Sequence, residues 1–332
     1  MQPPATVPHE MLQYDINAVD IAVLVPCHNE ETAIAKVVGD FRGALPSARI
    51  YVYDNRSTDA TADVARAAGA HVRHEPQKGK GHVVRRMFAD VDADVYVLVD
   101  GDDTYSADDA PTLIERLLAA QLDMVNGRRE DTSGIHAYPS GHRIGNALFN
   151  RIVKMLFGGS FDDIFSGYKV LSRRFVKSFP ALSREFEIET ELTVHALTLR
   201  LPVAEIPTAY RERPAGSSQS KLRTYRDGLH ILTAIIVLLK EERPLVFYTM
   251  IAAVFAAASV FIFIPVLSEY LNTGLVPRFP TVIFSSALML AAFITFTNGL
   301  ILSSVSRGRW EMRRIFYLNT SSLDPRRSRD DL

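Results

Sequence analysis

Three short runs in the first hundred residues share one pattern, an apolar, β-branched stretch that stops at proline or a carboxylate: 21–26 (IAVLVP), 50–54 (IYVYD) and 95–100 (VYVLVD). Runs of this length without alternation predict strands buried on both faces. Around them the apolar period changes to three or four, which predicts helices over 31–44, 60–68, 81–91 and 109–120. A further strand is expected at 122–127 and further helices at 145–157 and 187–200, the last with acids in its first turn. Buried strands alternating with amphipathic helices imply an α/β fold, a doubly wound and mainly parallel sheet that binds ligands beyond the carboxyl ends of its strands. Pro26, Asp54 and Asp100 stand at such ends.

The second half carries a different signal. Two uncharged apolar runs, 245–267 and 281–303, are each long enough to cross a ~30 Å hydrocarbon core at ~1.5 Å per helical residue. Glu269 and Arg278 are the charges between them, whereas Lys240 and Arg243 precede the first run and Arg307, Arg309, Arg313 and Arg314 follow the second. The positive-inside bias then sets both ends in the cytoplasm and the connecting turn outside, as in a multi-pass protein of the cell inner membrane. Residues 222–239 begin amphipathic and turn almost wholly apolar from Ile231, predicting an interfacial amphipathic helix on the bilayer surface. The expected organisation is an extension at 1–18, a cytoplasmic catalytic-sized domain at 19–221, the interfacial helix at 222–243, a transmembrane hairpin at 244–306 and a basic tail at 307–332, disordered over 324–331.

A net charge of −1 over 332 residues hides an asymmetry. Acids crowd 90–109, while Arg and Lys gather at 211–243 and after 306, a distribution that suits a lipid bilayer surface and not nucleic acid. The lone Cys27 excludes an intramolecular disulfide and agrees with a reducing cytosol. The first residues lack the charged start and apolar run of a signal peptide, so targeting is expected to fall to the hairpin.

Candidate chemistry clusters at the strand ends. Asp100, Asp102 and Asp103 lie within four residues, and carboxylates at i and i+2 on a loop can converge on one hard cation that leaves positions open to phosphate oxygens. An acidic turn before the helix near Asp108 is the plainer alternative. Pro26, Asn29 and Glu30 (VPCHNEE) also read as an ordinary helix start with favourable acids, and Asp54 (DNRSTD) as an N-capped turn. The string KGKG at 78–81 is not a phosphate loop, since Gly81 stands where Ser or Thr is needed and His74 where the first Gly is needed. Glu187, Glu191 and His195 share a helix face but read as an acidic helix start plus a core or surface histidine. No G-x-G-x-x-G follows the first strand, which disfavours a dehydrogenase.

Taken together, V-P-x-x-N-E-E, then D-x-x-S-T-D, then D-x-D after VLVD resemble, in order and spacing, family 2 glycosyltransferases of the GT-A fold. Over 21–314 the chain is similar to the polyprenyl-phosphate glycosyltransferases, the group with dolichyl-phosphate mannosyltransferase and the bacterial undecaprenyl-phosphate glucosyltransferases that carry two C-terminal membrane helices. The resemblance implies that Pro26, Asn29, Glu30 and Asp54 hold the base and ribose, and that Asp100 and the catalytic Asp102 bind Mg²⁺ or Mn²⁺ bridging the diphosphate. Asp163, Ser166 and Lys169 (DIFSGYK) match the family's D-x-x-S-G-F-R segment between sugar and acceptor phosphate, with Asp163 and Lys169 as further catalytic candidates. Arg128, Arg129 and Arg143 resemble acceptor-phosphate contacts, although solvated surface arginines would look the same, and Ser220 and Lys221 are similar to a mobile loop over the diphosphate. Asn55 for a second Asp and Thr104 for Gln depart from the pattern.

The implied reaction is inverting transfer of a sugar from a nucleotide-diphosphate sugar, with UDP favoured, to a polyprenyl phosphate such as undecaprenyl phosphate at the cytoplasmic face. A phosphate monoester with its second pKa near ~6 is already an ionised nucleophile, so no strong general base is required. A processive polysaccharide synthase is the alternative enzyme, but Arg309 and Trp310 are preceded by Ser306 where its Q-x-x-R-W motif needs glutamine. An inactive nucleotide-sugar-binding scaffold is the alternative outside enzymes, and a homo-oligomer is left open.

Overall fold

The computed structural model describes residues 16–131, 161–183, 188–211 and 236–321, together with 151, 154 and 233. The chain divides into two compact units, 1–224 with 313–332, and 225–312.

The first unit is built on a seven-stranded sheet in the order β3-β2-β1-β4-β6-β5-β7. Its strands are β1 (Ile21–Cys27), β2 (Arg49–Asp54), β3 (His71–His74), β4 (Val95–Leu98), β5 (Met124–Asp131), β6 (Lys169–Ser172) and β7 (Val203–Tyr210). The helices are α1 (Ile34–Ala44), α2 (Thr61–Ala67), α3 (Lys80–Asp90), α4 (Ala110–Ala119), α5 (Arg173–Ser178) and α6 (Ile188–Leu199). Neighbouring strands pair in parallel except at β6, which is antiparallel to both β4 and β5. The sheet is therefore mainly parallel, as the alternation of strands and helices implied.

Alternate residues of β1 explain its lack of polar positions. Ile21, Val23 and Val25 join a core with Ile34, Val38 and Phe41 of α1 and Leu113, Ile114 and Leu117 of α4, while Ala22 and Leu24 point to the opposite face and are equally buried. On that opposite side α3 buries Val83, Val84 and Met87 and packs beside α6. The observed helices α1, α2, α3 and α4 start or stop within three residues of the expected ones. Strands β3, β6 and β7 were not anticipated. The helix expected at 145–157 lies outside the described residues apart from 151 and 154, which are helical.

The second unit contains α7 (Pro244–Thr273) and most of α8 (Phe279–Asn319), both long and apolar enough to cross a membrane. Small or slim residues recur every seven positions on each helix and, apart from Pro244 at the start of α7, are its buried ones: Ala252, Ser259 and Val266 on α7, Ser285, Ala292, Gly299 and Ser306 on α8. This spacing gives an antiparallel seam of close approach. Ser259 Oγ donates to the Ser285 carbonyl (2.7 Å), and a Cβ on Gly299 would meet Tyr248 Cβ at 2.9 Å. The remaining surface is greasy, with Phe261 77% and Phe293 69% exposed, which fits lipid as the surrounding solvent. Pro265 sits inside α7, a position more tolerable in a bilayer helix than in a soluble one. At 41 residues α8 is about 60 Å long and overruns a ~30 Å core, so the tail expected from 307 is helical to Asn319. Of the interfacial helix expected at 222–243, residues 233 and 236–243 are described; 233 and 236–242 are helical, and Arg243 breaks the helix before α7.

Candidate active site

The polar words that close β1, β2 and β4 meet at one end of the sheet. In parallel register Cys27 pairs with Asp54 and Leu24 with Leu98, so the three following loops are neighbours. Each contains a non-glycine residue in the left-handed region: Asn29 (φ 59°), Arg56 (φ 61°) and Asp103 (φ 59°). Such backbone is uncommon and concentrates where a chain must turn sharply beside a ligand. The Cys27 thiol measures the convergence. Its pKa is raised by burial first, then by the charges of Glu30, Asp100, Asp54 and Asp102.

The first two loops are laced together. Asn29 N–H donates to Ser57 Oγ (2.9 Å) and Asn29 Oδ1 accepts from Thr58 N–H (2.8 Å). Glu30 N–H donates to Thr61 Oγ1 (2.8 Å), and Asp54 receives Ser57 N–H (3.2 Å) on one oxygen and meets His74 Nδ1 (3.1 Å) with the other. Pro26 lies opposite Tyr53 in the β1–β2 register. Asn55 explains its own departure from the family pattern. Its amide donates to the Glu75 (3.1 Å) and Gln77 (2.7 Å) carbonyls and its Oδ1 accepts from Gly79 N–H (2.8 Å). Aspartate could donate neither bond.

At the third loop Asp102 is 3% exposed, and its Oδ1 accepts from both the Thr104 N–H (3.2 Å) and hydroxyl (2.6 Å). Asp100 receives an ion pair that sequence reasoning missed. Buried Lys80, in the first turn of α3, bridges Asp100 Oδ1 and Glu189 Oε1 in the first turn of α6. Burial alone would lower the Lys80 pKa, but the two carboxylates outweigh it and raise it well above its ordinary value; burial raises that of Glu189. Glu189 Oε2 is buried with no hydrogen-bond partner among the described residues. A signal did exist: a lysine at a helix start opposes the helix dipole and calls for another reason to be there. Gly167 packs its Cα against Asp100, where any Cβ would collide with the carboxylate.

The DIFSGYK segment is drawn inward. Ser166 is fully buried; its hydroxyl donates to the Gly127 carbonyl (2.5 Å) and accepts from Tyr168 N–H (3.2 Å). Lys169 is fully buried on β6, donating to Asn126 Oδ1 (2.6 Å) and Thr193 Oγ1 (3.3 Å). Burial pushes its pKa down to about 8, against the pull of Asp163, Glu189 and Glu205. Asp163 instead faces Arg129, whose Nε and Nη2 reach its two carboxylate oxygens at 2.7 Å each. Arg128 pairs with Glu130 (2.5 Å) and Asp162 (3.5 Å). The structure thus brings Arg128 and Arg129 together with acids, and sets Lys169 apart from them inside the sheet. Arg143, Ser220 and Lys221 lie outside the described residues.

Among the described residues no group of three His, Cys, Asp or Glu could hold a metal ion, and the candidate carboxylates at the loop after β4 are the pair Asp100 and Asp102. Such a pair fits Mg²⁺ or Mn²⁺ bound jointly with a diphosphate, which keeps most of its ligands as phosphate oxygens and water. The Glu189 oxygen with no partner among the described residues, beside Lys80 and Asp100, is an acceptor position that fits a further donor or cation. Glu191 and His195 have other duties: Glu191 accepts the N–H groups of Leu182 (2.9 Å) and Ser183 (2.8 Å), and His195 is buried between Phe175 and Phe179, its pKa lowered to about 3 by burial.

A mainly parallel sheet with carboxylates converging at its strand ends is the architecture in which α/β proteins bind ligands beyond the carboxyl ends of their strands. Residues 22–179 match the Glycosyl transferase family 2 domain. Protein RfbJ of Shigella flexneri is 57% identical over 127 residues, 38% of this chain and 98% of that protein. The dolichyl-phosphate hexose transferase of Haloferax volcanii is 30% identical over 224 residues, 68% of this chain and 96% of that one. The fold is similar to glucosyl-3-phosphoglycerate synthase from Mycobacterium tuberculosis, solved with Mn²⁺, UDP and glucosyl-3-phosphoglycerate, at a TM-score of 0.55 and 21% identity over 72% of this chain and 85% of that one. The chain belongs to glycosyltransferase family 2, and it is a glycosyltransferase with a GT-A-like fold and two C-terminal helices suited to membrane association.

Proposed function

We propose that this glycosyltransferase moves a sugar from a nucleotide-diphosphate sugar, UDP-linked by preference, to undecaprenyl phosphate or a similar polyprenyl phosphate at the cytoplasmic face of the inner membrane. The carrying observation is the pairing of carboxylate-rich strand ends with two bilayer-length helices in one chain. An acceptor whose isoprenoid tail stays in the bilayer requires an enzyme held there. The lipid-linked substrate in the name of the Haloferax volcanii relative and the UDP and Mn²⁺ of the mycobacterial structure support the same reading.

On this reading Pro26, Asn29, Glu30 and Asp54 bind the nucleotide, with Asp54 already oriented by Ser57 and His74. A divalent cation, when bound, would be held by Asp100 and Asp102 and would neutralise charge growing on the departing diphosphate. Lys80 adds a fixed cation beside Asp100, and Lys221 is assigned to the same diphosphate. Arg128, Arg129 and Arg143 receive the acceptor phosphate, whose oxygen attacks the anomeric carbon from the face opposite the leaving group and inverts it. Asp163 orients Arg129; Ser166 and Lys169 act from inside the sheet by shaping the segment that carries Asp163.

The purified chain in detergent, given a panel of nucleotide sugars and undecaprenyl phosphate, should form a lipid-phosphate sugar with one donor. Asp102→Asn should abolish turnover while leaving the thermal transition in place. Full activity in that variant or in excess chelator removes the metal assignment, and failure to glycosylate lipid phosphate with any donor removes the acceptor.

A further inference from the structure

Lys169, Asn126 and Glu205 stand in register on β6, β5 and β7, so their side chains form one row across three adjacent strands on the same face of the sheet. Lys169 and Asn126 have no exposed surface. A charged and polar row inside a sheet is costly unless each group is satisfied, and these are satisfied in a directed way. Lys169 donates to Asn126 Oδ1 (2.6 Å); the Asn126 amide donates to Glu205 Oε1 (2.8 Å) and to the Asp163 carbonyl (2.8 Å). Glu205 then accepts the backbone N–H groups of Asp162 (2.8 Å) and Asp163 (3.0 Å). The row therefore ends on the backbone of the turn whose side chain grips Arg129 through two 2.7 Å contacts.

We propose that Lys169, Asn126 and Glu205 form a positioning row, with Glu205 as the strut that fixes the Asp162–Asp163 turn and, through the Asp163 carboxylate, aims the Arg129 guanidinium at the acceptor phosphate. This rests on the reading of Arg129 as an acceptor contact. Arginine recognises phosphate by a planar fork, and a fork is useful only when its plane is fixed. Arg129 lies at the far end of a strand and reaches Asp163 across a loop, so its plane follows the turn. Glu205 holds that turn by two backbone bonds that no neighbouring strand supplies. The unbranched apolar side chain that would pack in place of Lys169 or Glu205 could not perform this task.

The test is a double-substitution cycle on the full chain in detergent, reading the KM for undecaprenyl phosphate, kcat and the Kd for UDP. Glu205→Gln keeps the size of the side chain but replaces one acceptor by a donor that faces an N–H. It should raise the acceptor KM about tenfold, with kcat and UDP affinity within about twofold, because misplacing a positioned group by a fraction of an ångström has effects of this order. Added to Arg129→Ala, the same substitution should have no further effect, since it acts through Arg129. If the two effects multiply, Glu205 acts independently and the positioning row is wrong while the role of Arg129 stands. If Arg129→Ala leaves the acceptor KM unchanged, the acceptor assignment itself has failed. Lys169→Met, which touches neither the turn nor Arg129, repeats the cycle should Glu205→Gln not fold; it should raise KM in the same direction by a smaller factor, and an unchanged KM in a folded Lys169→Met overturns the row.

Discussion

Lys169→Met should cost the fold little at neutral pH and much more at alkaline pH. In the folded chain burial holds the ammonium to a pKa of about 8, against an ordinary 10.5. The unfolded chain therefore binds the proton more tightly, and native stability must rise as pH climbs from about 8 to about 10.5. The size follows from the separation of the two values, about 3 kcal/mol at ~1.4 kcal/mol per pH unit. Below pH 8 the native protein carries the whole burden of a buried charge, and methionine removes it. Against that gain stand the hydrogen bond to Asn126 and the cost of leaving Asn126 Oδ1 unpaired, together about 2–4 kcal/mol. At pH 7 the variant should consequently lie within about 1–2 kcal/mol of the parent. By pH 10.5 the parent has shed its charge, and the variant should be destabilised by about 3 kcal/mol more than it was at pH 7. Urea unfolding of the first unit in the full chain, read by pulse proteolysis at pH 7, 8.5 and 10.5, isolates the effect, because other titrating groups cancel in the difference between the two proteins. A difference that does not change with pH would refute the buried-charge argument. A variant unfolded at pH 7 would show instead that the long-range pull of Asp163, Glu189 and Glu205 outweighs desolvation.

Tyr168 is fully buried with its hydroxyl unpartnered among the described residues, so Tyr168→Phe should stabilise the fold by about 1 kcal/mol in the same unfolding assay, and a loss of stability would reveal a hidden partner. Gly299→Leu forces a side chain into Tyr248 and should part the hairpin at a cost of about 1–3 kcal/mol; cross-linking between cysteines at 259 and 285 should then fall, and undiminished cross-linking counts against the seam. On the proposed topology Asn272→Cys should react with an impermeant thiol reagent from outside, against a low background from Cys27 at 3% exposure, and protection there reverses the orientation.

What the sequence disclosed follows from where each strand sits. β1 and β4 are interior strands buried on both faces and β2 is buried over its second half, so their apolar runs are continuous and stop abruptly at polar loops; the stop itself marked the candidate site. β3 is an edge strand, HVRH, with three of four residues exposed, and it leaves no hydrophobic trace. β6 is four residues long and opens with Lys169, a charge that breaks the run it belongs to. β7 carries Glu205 and Pro207, which argue against a strand until it is seen at the sheet edge. The carboxylates of the loop after β4 were legible because they adjoin in sequence. Lys80 and Glu189 were not, since they are 109 residues apart and meet only through the packing of α3 beside α6.

The same distinction bears on the proposed acceptor contacts at Arg128, Arg129 and Arg143. Fixed cations gathered in one pocket would repel each other whenever the lipid phosphate is absent, and the repulsion would act on the resting enzyme. The described structure interleaves acids instead: Asp163 on Arg129, Glu130 and Asp162 on Arg128, while on the donor side Lys80 sits on Asp100. Each pair holds its members in a defined orientation before any ligand arrives, which is the preorganisation that charge-stabilising catalysis needs. On the proposed reading, phosphate and diphosphate join or exchange with partners already in place and do not create them. Affinity then depends on the difference between two ionic contacts, a smaller quantity than either, and on the proposed reading this suits release of both a nucleotide and a lipid-linked product after every turnover.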